Sequence, residues 1–221
     1  MHGSPKKGAA GLIFDFDGTI ALSEPTHAAA WVDVARDAGR ALPEGFLESG
    51  IGQTDERLSA DLAGQWPGGP TAAQLLAAKR RAYQERCRRE SPLVPGIEAL
   101  LAHFHGTLPM AIATSASLGD IAPTLEMHGL GRYFDAVLTV ESVTHPKPHP
   151  EIYLKAAASL GVDPTATFVF EDSPTGAAAA RAAGMRVIGL LTTYGRNHIG
   201  PLVHATPDYL DLAALLAVLS A

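Results

Sequence analysis

Two carboxylates spaced two residues apart, Asp15 and Asp17, close the apolar run Leu12-Ile13-Phe14 and lead into Gly18-Thr19. Side chains two apart on a strand share a face, but Gly18 breaks the strand, so the second carboxylate can swing around the same pocket as the first. Acids held in an apolar setting call for a cation or a proton, because they lose their hydration there. The pair points to metal-assisted chemistry. The competing reading is an acidic turn, since Asp-Gly is a common turn pair.

Further polar clusters come after other apolar runs. Thr114-Ser115-Ala116-Ser117 ends the run 109–113, and Glu171-Asp172-Ser173 ends Thr167-Phe168-Val169-Phe170. Between them Lys147 lies in His145-Pro146-Lys147-Pro148-His149-Pro150, where the prolines favour an extended loop. Clustered carboxylates prefer a hard cation bound through oxygen, and Mg²⁺ is the common choice because it also tolerates water and phosphate. A hydroxyl and the backbone N–H groups of a helix start suit phosphate oxygens, and a lysine offsets the negative charge of nucleophile and substrate. This set fits phosphoryl transfer better than hydride or acyl transfer. The chain has no Gly-x-Gly-x-x-Gly, Gly-x-Ser-x-Gly or P-loop pattern.

These residues need a scaffold that brings strand ends together. Apolar runs predict strands over 12–14, 109–114, 136–140, 167–171 and 186–191, each a short buried-strand pattern. Helical spacing predicts helices over 27–38, 51–62 and 71–89, then over 97–104, 118–127, 151–160, 175–183 and 211–219. Strands alternating with helices imply right-handed βαβ units and a doubly wound parallel sheet, an α/β fold whose carboxyl strand ends converge on one crevice. The stretch 22–90 is read as an all-helical insertion, leaving 1–21 and 91–221 for the core.

The chain has 221 residues, 47% of them hydrophobic, and a net charge of −6, which argues against a generally basic nucleic-acid surface. One cysteine, Cys87, excludes an intramolecular disulfide. No apolar stretch reaches membrane-spanning length, and Met1–Ala10, with Lys6 and Lys7, reads as a short lead-in without a signal peptide. The expectation is a cytoplasmic soluble protein, monomeric, with no membrane or nucleic-acid partner.

Asp15-Phe16-Asp17-Gly18-Thr19, Thr114, Lys147 and Glu171-Asp172 match, in order, the four motifs of the haloacid dehalogenase-like superfamily. The helical insertion resembles the small cap of its β-phosphoglucomutase-like branch. The resemblance spans about Gly11 to Leu219 and implies a Rossmann-like catalytic core with an inserted cap domain. It implies that Asp15 attacks phosphorus and forms an aspartyl-phosphate, while Asp17 protonates the leaving oxygen and then activates water. It also implies that Mg²⁺ is held by Asp15, the Asp17 carbonyl and Asp172, with Glu171 near it or acting through water. Thr114 and Lys147 would grip the phosphoryl group, with Gly18 and Ser115 contacting substrate. The second acid separates the chain from the dehalogenase members, which lack it.

In the cap, His27 resembles a histidine that approaches the acid/base in mutase-like members, against the plainer reading of a helix-start histidine. Leu22 departs from the Asp that many relatives carry. Gly52-Gln53-Thr54-Asp55-Glu56-Arg57 resembles the family's substrate-specificity loop, with Thr54 as its hydroxyl. Mutases place an arginine after that hydroxyl; here Asp55 stands there and would repel a second phosphate unless Arg57 took over. Lys79 and Tyr83 match a Lys-x-x-x-Tyr pattern on one helix face, so Lys79 is a candidate for substrate contact. The other bases of 80–89 are expected to face water. Cys87, Trp31 and Trp66 are read as packing residues. His103 and His105 point to different helix sides, and His145 and His149 flank the Lys147 loop, so no histidine metal site is expected. These readings favour a phosphatase acting on a sugar phosphate or a phosphoglycolate-like acid. The alternatives are a β-phosphoglucomutase-type mutase and a non-catalytic phosphate-binding protein.

Overall fold

The structure is a computed structural model that describes residues 8–51 and 53–220. The lead-in as far as Lys7, and Gly52 of the specificity-loop pattern, lie outside the described residues. The chain divides into two compact units, one built from Ser23–Ser91 and the other from the chain up to Leu22 and from Pro92 onward.

The Ser23–Ser91 unit is helical: α1 (Glu24–Asp37), α2 (Phe46–Gly50), α3 (Asp55–Gln65) and α4 (Ala72–Arg89). Apolar positions at helical spacing give it its own core, where Trp31, Val34, Phe46, Leu62, Trp66 and Leu75 are buried together. Trp31 meets Phe46 edge to face at 5.5 Å. Thr71 and Gln74 form a reciprocal capping box at the start of α4. Helix α3 begins at Asp55 and not at Ile51, because the Thr54 side chain accepts the Arg57 amide and fixes the helix start there. Of the residues expected in that helix's first turn, Ile51 is the C-cap of α2 and Thr54 the N-cap of α3.

The other unit holds a parallel sheet: β1 (Gly11–Phe14), β2 (Met110–Ala113), β3 (Ala136–Leu138), β4 (Thr167–Glu171), β5 (Arg186–Leu190) and β6 (His204–Thr206). The spatial order is β3-β2-β1-β4-β5-β6, with parallel pairing throughout. The chain runs outward from β1 through β2 to β3, then returns to the other side of β1 with β4. That reversal makes the carboxyl ends of β1 and β4 the place where a ligand crevice opens. Helices α5 (Ile97–Phe104), α6 (Leu118–Met127), α7 (Glu151–Leu160), α8 (Pro174–Ala182), α9 (Arg196–Ile199) and α10 (Leu212–Leu219) complete the unit.

Alternation along β1 divides the core in two. Leu12 and Phe14 pack with Phe168, Phe170, Leu100 and Leu215, whereas Ile13 packs with Val169, Val187, Tyr153 and Ala180. The strand expected over 136–140 ends at Leu138, and Val140–Ser142 forms a 3-10 turn opened by Thr139. Strand β6 lies outside the predicted set: its three residues His204, Ala205 and Thr206 carry no apolar run, and only pairing with β5 makes them a strand. Among the described residues no helix is long and apolar enough to cross a membrane.

Candidate active site

Asp15 extends the β1 ladder one residue past the strand, its amide donating to Phe170 O at 3.0 Å. Pairing of Phe14 with Phe170 therefore sets Asp15 level with Glu171 at the end of β4. The chain then folds sharply: the amides of Thr19, Ile20 and Ala21 all donate to Phe16 O. Gly18 takes a left-handed conformation with φ of 68°, and Thr192 Oγ1 donates to its carbonyl at 2.5 Å. Glycine is needed there for two reasons, the positive φ and the approach of Asp172, whose Oδ2 would lie 2.0 Å from an added Cβ. Asp17 is half-buried within this turn.

Lys147 joins the two strand ends. Its Nζ donates to Asp15 Oδ1 and to Glu171 Oε1, both at 2.8 Å. Tyr153, on α7, donates its hydroxyl to the same Glu171 oxygen at 2.8 Å. The other oxygen, Oε2, accepts from both the amide and the hydroxyl of Ser173 at 2.9 Å. Ser173 also caps α8 by accepting the Gly176 amide at 3.1 Å. Glu171 is thus satisfied on both oxygens and holds the lysine in place, as a fully buried carboxylate must.

Charge is unbalanced in this cluster. Burial pushes Asp15 up to about 7 against the pull of Lys147, with Glu171 and Asp17 adding to the rise. Burial, then the neighbouring Glu171 and Asp15 charges, hold Asp172 well above the ordinary carboxylate range. Burial works against the Lys147 ammonium as well, but Asp15 and Glu171 outweigh it and raise its pKa well above the ordinary lysine value. One lysine faces more carboxylates than it can neutralise. Carboxylate oxygens of Asp15, Glu171 and Asp172 lie within 4.8 Å of one another, an all-oxygen donor set suited to a hard divalent cation.

Thr114 is buried one residue beyond β2, its amide donating to Leu138 O at 3.0 Å and its Oγ1 accepting the Ala116 amide at 3.0 Å. Ser115 beside it is exposed. The first strand end, the fourth strand end and the proline loop thus converge, as their sequence clusters suggested.

The cap candidates lie in the helical unit, and two of them meet. Lys79 is 1% exposed, with its Nζ 2.5 Å from Asp55 Oδ2 and 2.5 Å from His27 Nδ1. His27 stacks on Tyr83 with ring centroids 4.1 Å apart. Thr54 uses its hydroxyl as the cap of α3. Arg57 is exposed and pairs with Asp61 at 2.9 Å, one helical turn on. Asp55, expected to repel a second phosphate, has its carboxylate paired with the buried Lys79. Cys87, Trp31 and Trp66 are buried, as packing residues are.

Sequence reasoning missed Tyr153 and Gly176, and it named Ser173 in its cluster without a role. The signal for Ser173 was present in Ser173-Pro174, a cap with proline at the first helical position. Tyr153 lies on the apolar face of α7, where a tyrosine reads as core until its hydroxyl finds a partner.

A model of the haloacid dehalogenase-like hydrolase family matches residues 12–190. The chain is 36% identical over 180 residues to the fructose-1-phosphate phosphatase YqaB of Escherichia coli, covering 81% of this chain and 95% of the relative. The crystal structure of CbbY from Rhodobacter sphaeroides in complex with phosphate matches with a TM-score of 0.80 and 25% identity, covering 95% of this chain and 99% of that one. The β-phosphoglucomutase of Clostridium difficile, at 22% identity, shares the fold with a TM-score of 0.75 over 95% of this chain and 96% of its own. The chain belongs to the haloacid dehalogenase-like hydrolases, with the fold of their β-phosphoglucomutase-like branch, and as an enzyme it stands among that family's phosphoric monoester hydrolases.

Proposed function

We propose that the chain is a Mg²⁺-dependent phosphatase that hydrolyses a small phosphorylated metabolite, a sugar phosphate or a phosphoglycolate-like acid, through an aspartyl-phosphate. The observation that carries this reading is the bridge of Lys147 between Asp15 and Glu171, with Asp172 beside them. A carboxylate held at the carboxyl end of a central strand, with an ammonium fixed on one of its oxygens, is positioned as a nucleophile toward phosphorus.

Asp15 attacks with its ionised carboxylate and becomes the mixed anhydride, while the phosphorus–oxygen bond to the alcohol breaks. Asp17 gives a proton to that departing oxygen, then takes one from the water that cleaves the anhydride and restores Asp15. Lys147 remains charged throughout and offsets the negative charge of the transferring group. Thr114 and Ser115, at the end of β2, bind phosphoryl oxygens, and the close turn at Gly18 gives the backbone access to them. Asp15, Asp172 and the Asp17 carbonyl would hold Mg²⁺ with Glu171 near it, and the ion would supply charge neutralisation for nucleophile and phosphoryl group.

We assign residues 1–21 and 91–221 to the catalytic core and 22–90 to a cap that sets substrate choice through His27, Thr54 and Lys79. Asp55 stands where mutases place an arginine and offers no cation to a second phosphate, which supports a phosphatase over a mutase. The fructose-1-phosphate relative supports the sugar-phosphate class.

The test is release of inorganic phosphate from a metabolite panel, with and without Mg²⁺, by the wild type and by Asp15→Asn. Mg²⁺-dependent release that Asp15→Asn abolishes is expected. Turnover retained by that variant would overturn the nucleophile assignment, and interconversion of sugar phosphates that requires a bisphosphate would favour the mutase.

A further inference from the structure

We propose that His145, His149 and Glu151 form a second cation site that takes a borderline divalent transition-metal ion, of the zinc, nickel or copper class, on the loop that carries Lys147. Donor atoms of the three side chains all lie within 4.8 Å of one another, although the sequence pattern showed no regular ligand set. The two imidazole rings lie 4.6 Å apart, centroid to centroid. His145 Nδ1 is 2.9 Å from Glu151 Oε2. Two donors about 2.1 Å from one tetrahedral ion stand about 3.4 Å apart, so a shift of about half an ångström would let this pair share one ion.

Chemistry separates this site from the cluster at Asp15. Two imidazole nitrogens and one carboxylate suit borderline metals, whereas Mg²⁺ prefers an all-oxygen set. The carboxylate is pre-arranged for the task. Lys155 donates to Glu151 Oε1 at 2.7 Å and the Thr144 amide to the same atom at 3.1 Å. Oε2 faces the His145 amide at 3.0 Å and the His145 ring. An ion taken between Oε2 and Nδ1 of the His145 tautomer protonated at Nε2 supplants their direct contact and leaves the Lys155 and backbone contacts in place. Binding at His149 gives up at most its 3.3 Å contact with the Glu151 amide. Both histidines are exposed and reachable from solvent. An ion here would span the residues on either side of Lys147 and clasp the loop that presents it.

The proposal does not depend on the phosphatase reading, and its test reads metal binding directly. Untagged full-length protein is titrated with Cu²⁺ in excess Mg²⁺, which keeps the oxygen cluster occupied, and monitored by electron paramagnetic resonance and calorimetry. One ion bound with coupling to two imidazole nitrogens is expected. His145→Ala with His149→Ala should remove the nitrogen coupling, and Glu151→Gln should weaken binding by about tenfold or more, given that outer contacts alone are worth that much. Asp15→Asn should bind as the wild type does. Equal stoichiometry, affinity and nitrogen coupling in the double histidine variant would overturn the proposal, as would loss of the signal in Asp15→Asn or no Cu²⁺ binding by the folded wild type. Circular dichroism melts of each variant verify that it is folded.

Discussion

A methyl group on Gly176 would lie 1.5 Å from Oε1 of Glu171 and 2.6 Å from Oε2, so the first turn of α8 and the carboxylate share one close-packed spot. The backbone of Gly176 also donates to Ser173, which in turn donates to Glu171. Helix start, carboxylate and lysine are therefore one assembly. Gly176→Ala is expected to push Glu171 away and release its hold on Lys147. Overpacking of this kind costs about 1–3 kcal/mol, and misplacement of a positioned group can cost about a hundredfold in rate. Thermal melts and steady-state kinetics together check this. A variant with unchanged kcat would show that Glu171 does not position the lysine.

Gly18→Ala strikes the other side of the cluster. An added Cβ would approach Asp172 Oδ2 at 2.0 Å and Thr193 Oγ1 at 2.7 Å, at a positive φ that alanine adopts with strain. The Mg²⁺ concentration giving half-maximal activity is expected to rise about tenfold or more, because support of a ligand carboxylate is worth about that factor. A metal titration of the variant's phosphate release reads the shift directly.

Asp15 predicts how metal and proton compete. Burial raises its pKa from 3.8 to about 7, so the folded, metal-free protein holds this proton more tightly than the unfolded chain does. Between those values the native state binds more protons, and on this group's account stability falls as pH rises. A cation that needs the ionised carboxylate reverses the trend. The rise in melting temperature on adding Mg²⁺ should therefore be larger at pH 8 than at pH 6. Equal rises at both values would place the proton on another group.

In the helical unit, Lys79 is buried against Asp55, whose side chain is 22% exposed. Lys79→Met leaves the carboxylate uncompensated, and Asp55→Asn leaves the ammonium so. Each change is expected to destabilise the fold by about 1–3 kcal/mol, less than a fully buried pair because Asp55 keeps some water. The double variant should lose less than the sum, with a coupling of about 1–3 kcal/mol in a thermal-unfolding cycle. Strict additivity would mean that the 2.5 Å contact contributes no net coupling.

The sequence by itself determined the strand ends and the acids placed on them, because both are written locally. An apolar run such as Leu12-Ile13-Phe14 buries itself in a parallel sheet, and the residues next in the chain must emerge at the carboxyl edge. The order of Asp15, Thr114, Lys147 and Glu171 along alternating strands and helices therefore already implied one crevice. Tertiary structure decided which groups touch within it. Lys147 reaches Asp15 across 132 positions of sequence, and Tyr153 spends its hydroxyl on Glu171 instead of serving only as core. The pairing of Lys79 with Asp55 and His27 joins three helices, and no periodicity in any one of them specifies it. Strand β6 exists because β5 offers its edge, and Gly176 matters because a carboxylate comes within bonding distance of where its side chain would be. Hydrophobic periodicity is a property of single elements, whereas hydrogen-bond partners and close approach are properties of pairs of elements, and only the folded chain brings those pairs together.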